Sequence, residues 1–362
     1  MTDAEPIPAA RPMIDESDID AAVAVMRSGM VVQGPEVKAF EEEFSAVVDG
    51  HECVAVNSGT SALHLTLMAL GFGPGDEVIC PSFTFAATAN AIRLVGATPV
   101  FADIQPDTFN IDPVAVEALV GPRTVAILPV HLYGLPADMT ALVAIADKHK
   151  LAIVEDAAQA HLAAVDGRPV GSLGTAGCFS FYATKNMHSL EGGMVTTADP
   201  ELARSVRLLR NQGMEQRYAN EVVGTNTRMT DVAAAVGRNQ LRSVGGWTDQ
   251  RRANAATLTA GITTATTPYV PETHRHVYHQ YTVRSPQREA LGAQLSEHGI
   301  GSATYYPTPV HRLRPFLTED GVPDPRWDLP ETEKAAADAL SLPVFPTLTA
   351  DELDRIVEAV NA

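Results

Sequence analysis

The sequence predicts an α/β protein: a large domain on a mostly parallel, mixed sheet, followed by a smaller C-terminal α+β domain. Three observations lead to this. Short apolar runs alternate with helical patterns from Glu52 to Thr197, a long helical pattern follows Thr230, and the 362 residues exceed the roughly 250 to 300 at which a single core stops growing.

In chain order the apolar runs are ECVAVNS, DEVICPS, ATPVFAD, TVAILPV, LAIVED, GCFSFYATK and GGMVTT. Near-continuous apolar runs of this length suit strands covered on both faces. Helices are predicted between them, among them Ser61 to Leu70 and Asp138 to His149, the latter spacing Leu142, Ile145 and Ala146 for one buried stripe. The pattern DVAAAVGRNQLRSVGGWTDQRRANAATL is expected to break at Gly245 and Gly246. That break divides the chain into a large domain over 1–245, with an N-terminal arm, and a small domain over 246–362. A final helix, Ala350 to Val360, places Leu353, Ile356, Val357 and Val360 on one face, ready to pack on the small domain's sheet. No internal repeat or low-complexity segment is present.

Composition narrows the function. A formal charge of -18 opposes a broad nucleic-acid face, which needs clustered Lys and Arg against phosphates. No stretch approaches the ~20 apolar residues of a membrane span, and the first residues lack a basic start and an apolar core of a signal peptide. Cys53, Cys80 and Cys178 are scattered, with no CxxC pair, so neither a disulfide framework nor a metal site is expected. A cytoplasmic protein without nucleic-acid or membrane partners is the expectation.

In open α/β sheets ligands bind beyond the carboxyl ends of the strands. Four strand ends carry candidates. After ECVAVN come Ser58, Gly59, Thr60 and Ser61 and a helical pattern, offering N–H groups, hydroxyls and a helix dipole to an anion; an ordinary capped helix start has the same look. LAIV ends in Glu155 and Asp156, a carboxylate that equally suits a turn. GCFSFYAT ends in Lys185 beside Phe179, Phe181 and Tyr182, where desolvation would lower the amine's pKa; a solvated lysine is the alternative. DEVIC leads to Phe85, which alone reads as core. Together they supply what pyridoxal phosphate requires: a phosphate cradle, a carboxylate for the pyridine nitrogen, a lysine for the Schiff base and a flat ring to stack.

The ordered segments SGMVVQGPEVKAFEEEF, NSGTSALHLTLMALGFGPGDEVICPSFTFAATANAI, PVHLYGLPADM, VEDAAQAH, SFYATKN, EGGMVTT, GTNTRMTDVAAAVGRNQL and YYPTPVH resemble the DegT/StrS (DegT/DnrJ/EryC/StrS) family of aminotransferases along nearly the whole chain. The resemblance implies the aspartate-aminotransferase-like fold (fold type I), with a large pyridoxal-phosphate-binding domain. It implies Lys185 as the Schiff-base lysine, Asp156 at the pyridinium nitrogen and Phe85 stacked on the ring. Gly59, Thr60, Ser61 and Ser180 would hold the phosphate and Gln159 would lie near the phenolic oxygen. Asn226 would reach the phosphate in the neighbouring subunit, which implies a homodimer with active sites at the subunit interface. The implied reaction moves an amino group from an amino acid, glutamate being expected, to a nucleotide-linked keto-sugar.

Two segments depart from the family pattern. Ser189 and Leu190 stand where Thr-Gly is usual before Glu-Gly-Gly, and Tyr305–Tyr306 replaces His-Tyr before proline. Both are expected on the substrate side, with Tyr306 and His311 as candidate substrate contacts, a structural role for His311 being at least as well supported, while His188 reads as a pocket-wall or surface residue. A keto-cyclitol aminotransferase or an aminohydroxybenzoate-synthase relative shares these motifs. A regulatory or sensory protein of the same fold would instead show DNA binding or an incomplete cofactor site.

Overall fold

The computed structural model describes residues 5–362. Fourteen strands occur among them: β1 (Glu52–Val56), β2 (Glu77–Pro81), β3 (Thr98–Ala102), β4 (Thr124–Ile127), β5 (Ala152–Asp156), β6 (Ala164–Val165), β7 (Arg168–Pro169), β8 (Ala176–Ser180), β9 (Gly193–Thr197), β10 (Met214–Gln216), β11 (Ala219–Asn220), β12 (His274–Arg275), β13 (Tyr281–Arg284) and β14 (Ala339–Leu342). Every apolar run singled out in the sequence forms a strand of one seven-stranded sheet, ordered β1-β9-β8-β5-β4-β2-β3. β9 runs antiparallel to both its neighbours, and the remaining pairs are parallel.

Side chains along a strand alternate between faces, and the sheet buries both. Val54 and Val56 of β1 and Val78 and Cys80 of β2 join α3 (Gly59–Ala69), α4 (Ala87–Leu94) and α7 (Pro200–Arg210) in one core cluster. Cys53 and Ala55 turn instead to Phe40 and Phe44 of α2 (Pro35–Ser45) and to Phe179 and Phe181. Ile79 turns to Met139, Leu142 and Ala146 of α6 (Met139–His149). The result is a three-layer α/β sandwich with a fully buried sheet.

α8 (Asp231–Gly261) is unbroken, which corrects the interruption expected at Gly245 and Gly246. Each glycine costs a helix about 1 kcal/mol relative to alanine. Here packing on either side outweighs that cost: Val244 and Thr248 are buried, and Leu241 and Trp247 lie on the core beside α2. The passage from one core to the next runs along a continuous helix, from Val244 and Trp247 in one cluster to Ala255 and Leu258 in the other.

The C-terminal unit holds the antiparallel pair β13–β14, α9 (Arg288–Glu297) and α11 (Ala350–Asn361). Leu353, Ile356 and Val360 of α11 share a core with Tyr281 and Val283 of β13 and Leu340 and Leu342 of β14, and Ile7 of the N-terminal arm packs into that core as well. Residues 303–338 leave this unit and fold back over the large sheet, where Val310 and Leu329 join the core of β2 and α4. This fold-back carries Tyr305 and Tyr306 onto Phe83 and Phe85 at the end of β2. Among the described residues no helix is long and apolar enough to cross a membrane.

Candidate active site

A cavity of about 510 Å³ opens at the carboxyl ends of the parallel strands. That size falls in the range of roughly 300 to 1,000 Å³ typical of small-molecule sites. Its wall brings together Gly59, Thr60, Phe85, Asp156, Gln159, Ser180, Lys185 and Tyr306. Ser61, Asn226 and His311 are not part of it.

The anion-binding corner is built by α3. Ser58 caps the helix, its Oγ accepting from Ser61 N at 3.1 Å. The amides of Gly59 and Thr60 in the first turn have no intrahelical acceptor, so they and the helix dipole are available to an anion. Glycine is required at 59 for space, because a Cβ there would stand 2.7 Å from Ser180 Cβ. Ser61 turns its hydroxyl away, donating to Asn57 Oδ1 at 2.6 Å.

Asp156 ends β5 and is buried. Its Oδ2 accepts from Thr88 Oγ1 at 2.8 Å and its Oδ1 from Ala158 N at 3.2 Å. Burial still dominates and raises the carboxyl pKa above its ordinary value, against the pull of Thr88, Ala158, Lys185 and His131. On the same cavity wall, burial pushes the Lys185 amine down to about 8, with Asp156 partly opposing. An amine with that pKa is still mostly protonated at neutral pH, but its uncharged fraction is far larger than that of an ordinary lysine, which suits it to nucleophilic and proton-transfer work. Phe179 and Phe181, expected to desolvate it, lie instead in the core against Phe44 and Phe40, leaving Tyr182 as the only one of the three on the cavity wall.

Phe85 is 60% exposed, uncovered at the cavity rather than buried in a core. Gln159 is fixed at both ends: its Oε1 accepts from Tyr133 N at 2.7 Å and its Nε2 donates to Tyr306 Oη at 3.1 Å. Tyr133 Oη donates in turn to the carbonyl of Tyr305, so the folded-back segment is tied to the strand-end loops.

Three histidine and asparagine positions fall elsewhere. His311 Nδ1 meets Ser82 Oγ at 2.7 Å and its Nε2 meets Glu333 at 2.9 Å; it fastens the fold-back to β2 and does not reach the cavity as a substrate contact. His188 is neither pocket wall nor surface: it is buried and donates through Nε2 to Met13 O at 2.9 Å, holding the N-terminal arm. Asn226 is exposed, bridging Asn211 on the segment before α8. Leu190, at the position where the family pattern has glycine, adopts a left-handed φ of 65°. Thr84, Glu191, His279 and Gln280 line the cavity as well; the first two stand inside the segments PSFTF and EGGMVTT, while nothing in the local sequence marks His279 and Gln280.

Behind Asp156, Glu155 points to the opposite face. It accepts from His131 Nε2 at 2.9 Å and from the amides of Gly171, Leu173 and Gly174, each at 2.8 Å. Ala137 N donates to His131 Nδ1 at 3.0 Å, which leaves the ring proton on Nε2. Burial alone would raise the Glu155 pKa, but His131 and the amides of Gly171 and Gly174 overcome it and hold the carboxyl below its ordinary value of 4.5. Its stabilising contribution is therefore present above that value and fades as pH falls through the lower folded one. Glu155→Gln sets an amide NH2 against these donors, and the expected loss is about 3 kcal/mol. Denaturant unfolding at neutral pH measures it, and the deficit should shrink in acid.

The chain as a whole is matched in known proteins. The family model described as the DegT/DnrJ/EryC1/StrS aminotransferase family matches residues 12–361. The chain belongs to this aminotransferase family.

Its relatives include the dTDP-3-amino-3,4,6-trideoxy-alpha-D-glucose transaminase of Streptomyces venezuelae, 44% identical over 350 residues that cover 95% of this chain and 92% of that protein. A "Pleiotropic regulatory protein" of Geobacillus stearothermophilus is 45% identical over 342 residues, covering 93% and 91%. The crystal structure of S. venezuelae DesV in complex with a ketimine intermediate superposes with a TM-score of 0.91 at 43% identity, covering 95% of this chain and 93% of that one. The family is pyridoxal-phosphate-dependent, and the residues of this aminotransferase fit such a group. The cradle at Gly59 is one a Cβ would fill, Asp156 is a buried carboxylate that forms no salt bridge among the described residues, and Lys185 is the only one of the five lysines (38, 148, 150, 185, 334) on the cavity wall.

Proposed function

We propose that this enzyme transfers an amino group from an amino acid, glutamate being the expected donor, to the keto group of a nucleotide-linked sugar, using pyridoxal phosphate held in the cavity of Lys185 and Asp156. The observation that carries the reading is that those two side chains line one cavity, with the open first turn of α3 beside them. When bound, pyridoxal phosphate supplies an electron sink and the carbon that carries the amine between donor and acceptor.

The chain's residues do the rest. Gly59, Thr60 and Ser180 bind the phosphate, the first two through backbone amides at the positive end of α3. Ser61 contributes by bracing Ser58 and Asn57. Asp156 holds a proton on the pyridine nitrogen by offering a buried negative charge to it. Phe85 covers one face of the ring, and Gln159, held by Tyr133 and Tyr306, orients its phenolic edge. Lys185 Nζ would anchor the group and, when free, would be the base that takes the proton from the donor's α-carbon. A pKa near 8 leaves both forms of that amine accessible at neutral pH.

The reading includes a homodimer. Met30, Val31, Val32, Tyr218, Val222 and Val223 are exposed apolar residues near the ends of α1 (Glu16–Ser28) and on the segment carrying Asn226. A second copy covering them would bring Asn226 to the phosphate of the neighbouring site. Residues 1–245 act as the cofactor-binding domain, with 246–362 contributing Tyr306, His279 and Gln280 to the substrate side. The name of the S. venezuelae relative supports a nucleotide-linked sugar. A complete cavity and a net charge of -18 weigh against a regulatory, DNA-binding role.

The test is an acceptor panel. Protein charged with amine by glutamate is offered keto-sugars linked to dTDP, UDP and GDP, keto-cyclitols and aromatic precursors. Return of the absorbance of the Lys185-bound cofactor with a nucleotide-linked sugar alone is the expected result, and discharge by a cyclitol or aromatic precursor alone would overturn it.

A further inference from the structure

Asp156 does not stand alone at the end of β5. Its Oδ2 is met at 2.8 Å by the hydroxyl of Thr88, a residue of α4 with no exposed surface, and Thr88 Oγ1 lies 3.0 Å from Thr84 Oγ1. Because the Thr88 proton is committed to the carboxylate, the second contact has one polarity: Thr84 donates and Thr88 accepts. The relay therefore runs from Thr84, on the cavity wall, through Thr88 to Asp156. Thr88 makes no other side-chain hydrogen bond, and its partner at 84 is also buried.

We propose that Thr88, polarised by Thr84, is a positioning residue that holds the Asp156 carboxylate turned to the cavity and ionised. The inference rests on the reading of Asp156 as partner of the pyridine nitrogen. A carboxylate with one oxygen fixed by Thr88 and the other by Ala158 N has a single orientation, and its remaining lone pairs are left for a ligand. Without the hydroxyl, Oδ2 is a buried anionic atom with no donor from the protein. The other titratable groups around it are Lys185 on the loop after β8, His131 after β4, Tyr306 on the fold-back and Cys178 on β8. Only Lys185 and His131 among them favour the anion, and neither makes a hydrogen bond to it.

The sign of the effect follows. The folded pKa of Asp156 already lies above its ordinary 3.8, so ionising it costs stability as pH rises through the folded value. Removing a donor raises that pKa further, and the added cost is absent in acid and full at neutral pH. A purely structural hydrogen bond would instead give a deficit independent of pH.

The experiment compares wild type, Thr88→Val, which keeps the shape and deletes the hydroxyl, and Thr88→Ser, which restores it. In the full chain freed of cofactor, the melting-temperature gap between wild type and Thr88→Val is expected to widen from acid to neutral pH. In the loaded enzyme, the acid limb of kcat/KM is expected to move up by about one pH unit in Thr88→Val. Thr88→Ser should follow wild type in both. A gap that does not change with pH, an unmoved acid limb, or a Thr88→Ser variant as impaired as Thr88→Val overturns the proposal. Should wild type itself move no amine, the functional reading fails, while the melting comparison still judges Thr88.

Discussion

Lys185→Ala protein is expected to lose multiple-turnover amino transfer by at least about 10³-fold, the upper part of the range for removing a positioned acid–base group. The size follows from the absence of a substitute. The other four lysines, Lys38, Lys148, Lys150 and Lys334, are exposed on helices or at their ends, and no other amine lines the cavity. His279 is the nearest alternative base by type, but burial, together with Lys185, Arg251 and His161, holds its pKa well below the usual value, making it a poor proton acceptor. Steady-state transfer from glutamate measures the effect. Turnover within tenfold of wild type would remove Lys185 from the mechanism.

Asp156→Asn is expected to lower turnover by roughly 10³-fold, the scale of deleting one preorganised electrostatic partner, with cofactor affinity changed far less. Asparagine matches the shape of aspartate and can still accept from Thr88, so the fold around β5 should persist. What disappears is the negative charge. A neutral amide cannot favour a protonated pyridine nitrogen, and the sink that acidifies the donor's α-carbon weakens. Comparison of kcat with the dissociation constant of the cofactor separates the two contributions. A variant that binds the cofactor normally and turns over normally would contradict the role assigned to the charge.

Much of this site was legible in the sequence because the sheet makes it a local problem. Each apolar run forms a strand, and a parallel sheet aligns the carboxyl ends of its strands, so Gly59, Thr60, Phe85, Asp156, Ser180 and Lys185 could be placed on one edge without knowing how the strands are ordered. Thr88 was not legible. It faces Asp156 only because α4 packs beside the end of β5, and a threonine within a helix carries no signal for that. The fold-back of 303–338 was equally hidden, since its apolar anchors, Val310 and Leu329, are spaced like those of any loop-rich stretch. Local sequence left His311 open between a substrate contact and a structural role and pointed His188 to the pocket wall or surface, whereas both rings fasten chain segments through buried hydrogen bonds that only the tertiary fold creates. Gly245 and Gly246 looked like a break because propensity is local, whereas the continuity of α8 is decided by what Val244, Trp247 and Thr248 bury.

The central claim is that one lysine, sharing the cavity with Asp156, anchors the cofactor. Borohydride reduction of the cofactor-loaded protein, followed by proteolysis and peptide mass measurement, tests it most directly. The account predicts a single added cofactor mass on the peptide containing Lys185. Label on a peptide carrying Lys38, Lys148, Lys150 or Lys334 instead, or no label at all, would contradict it.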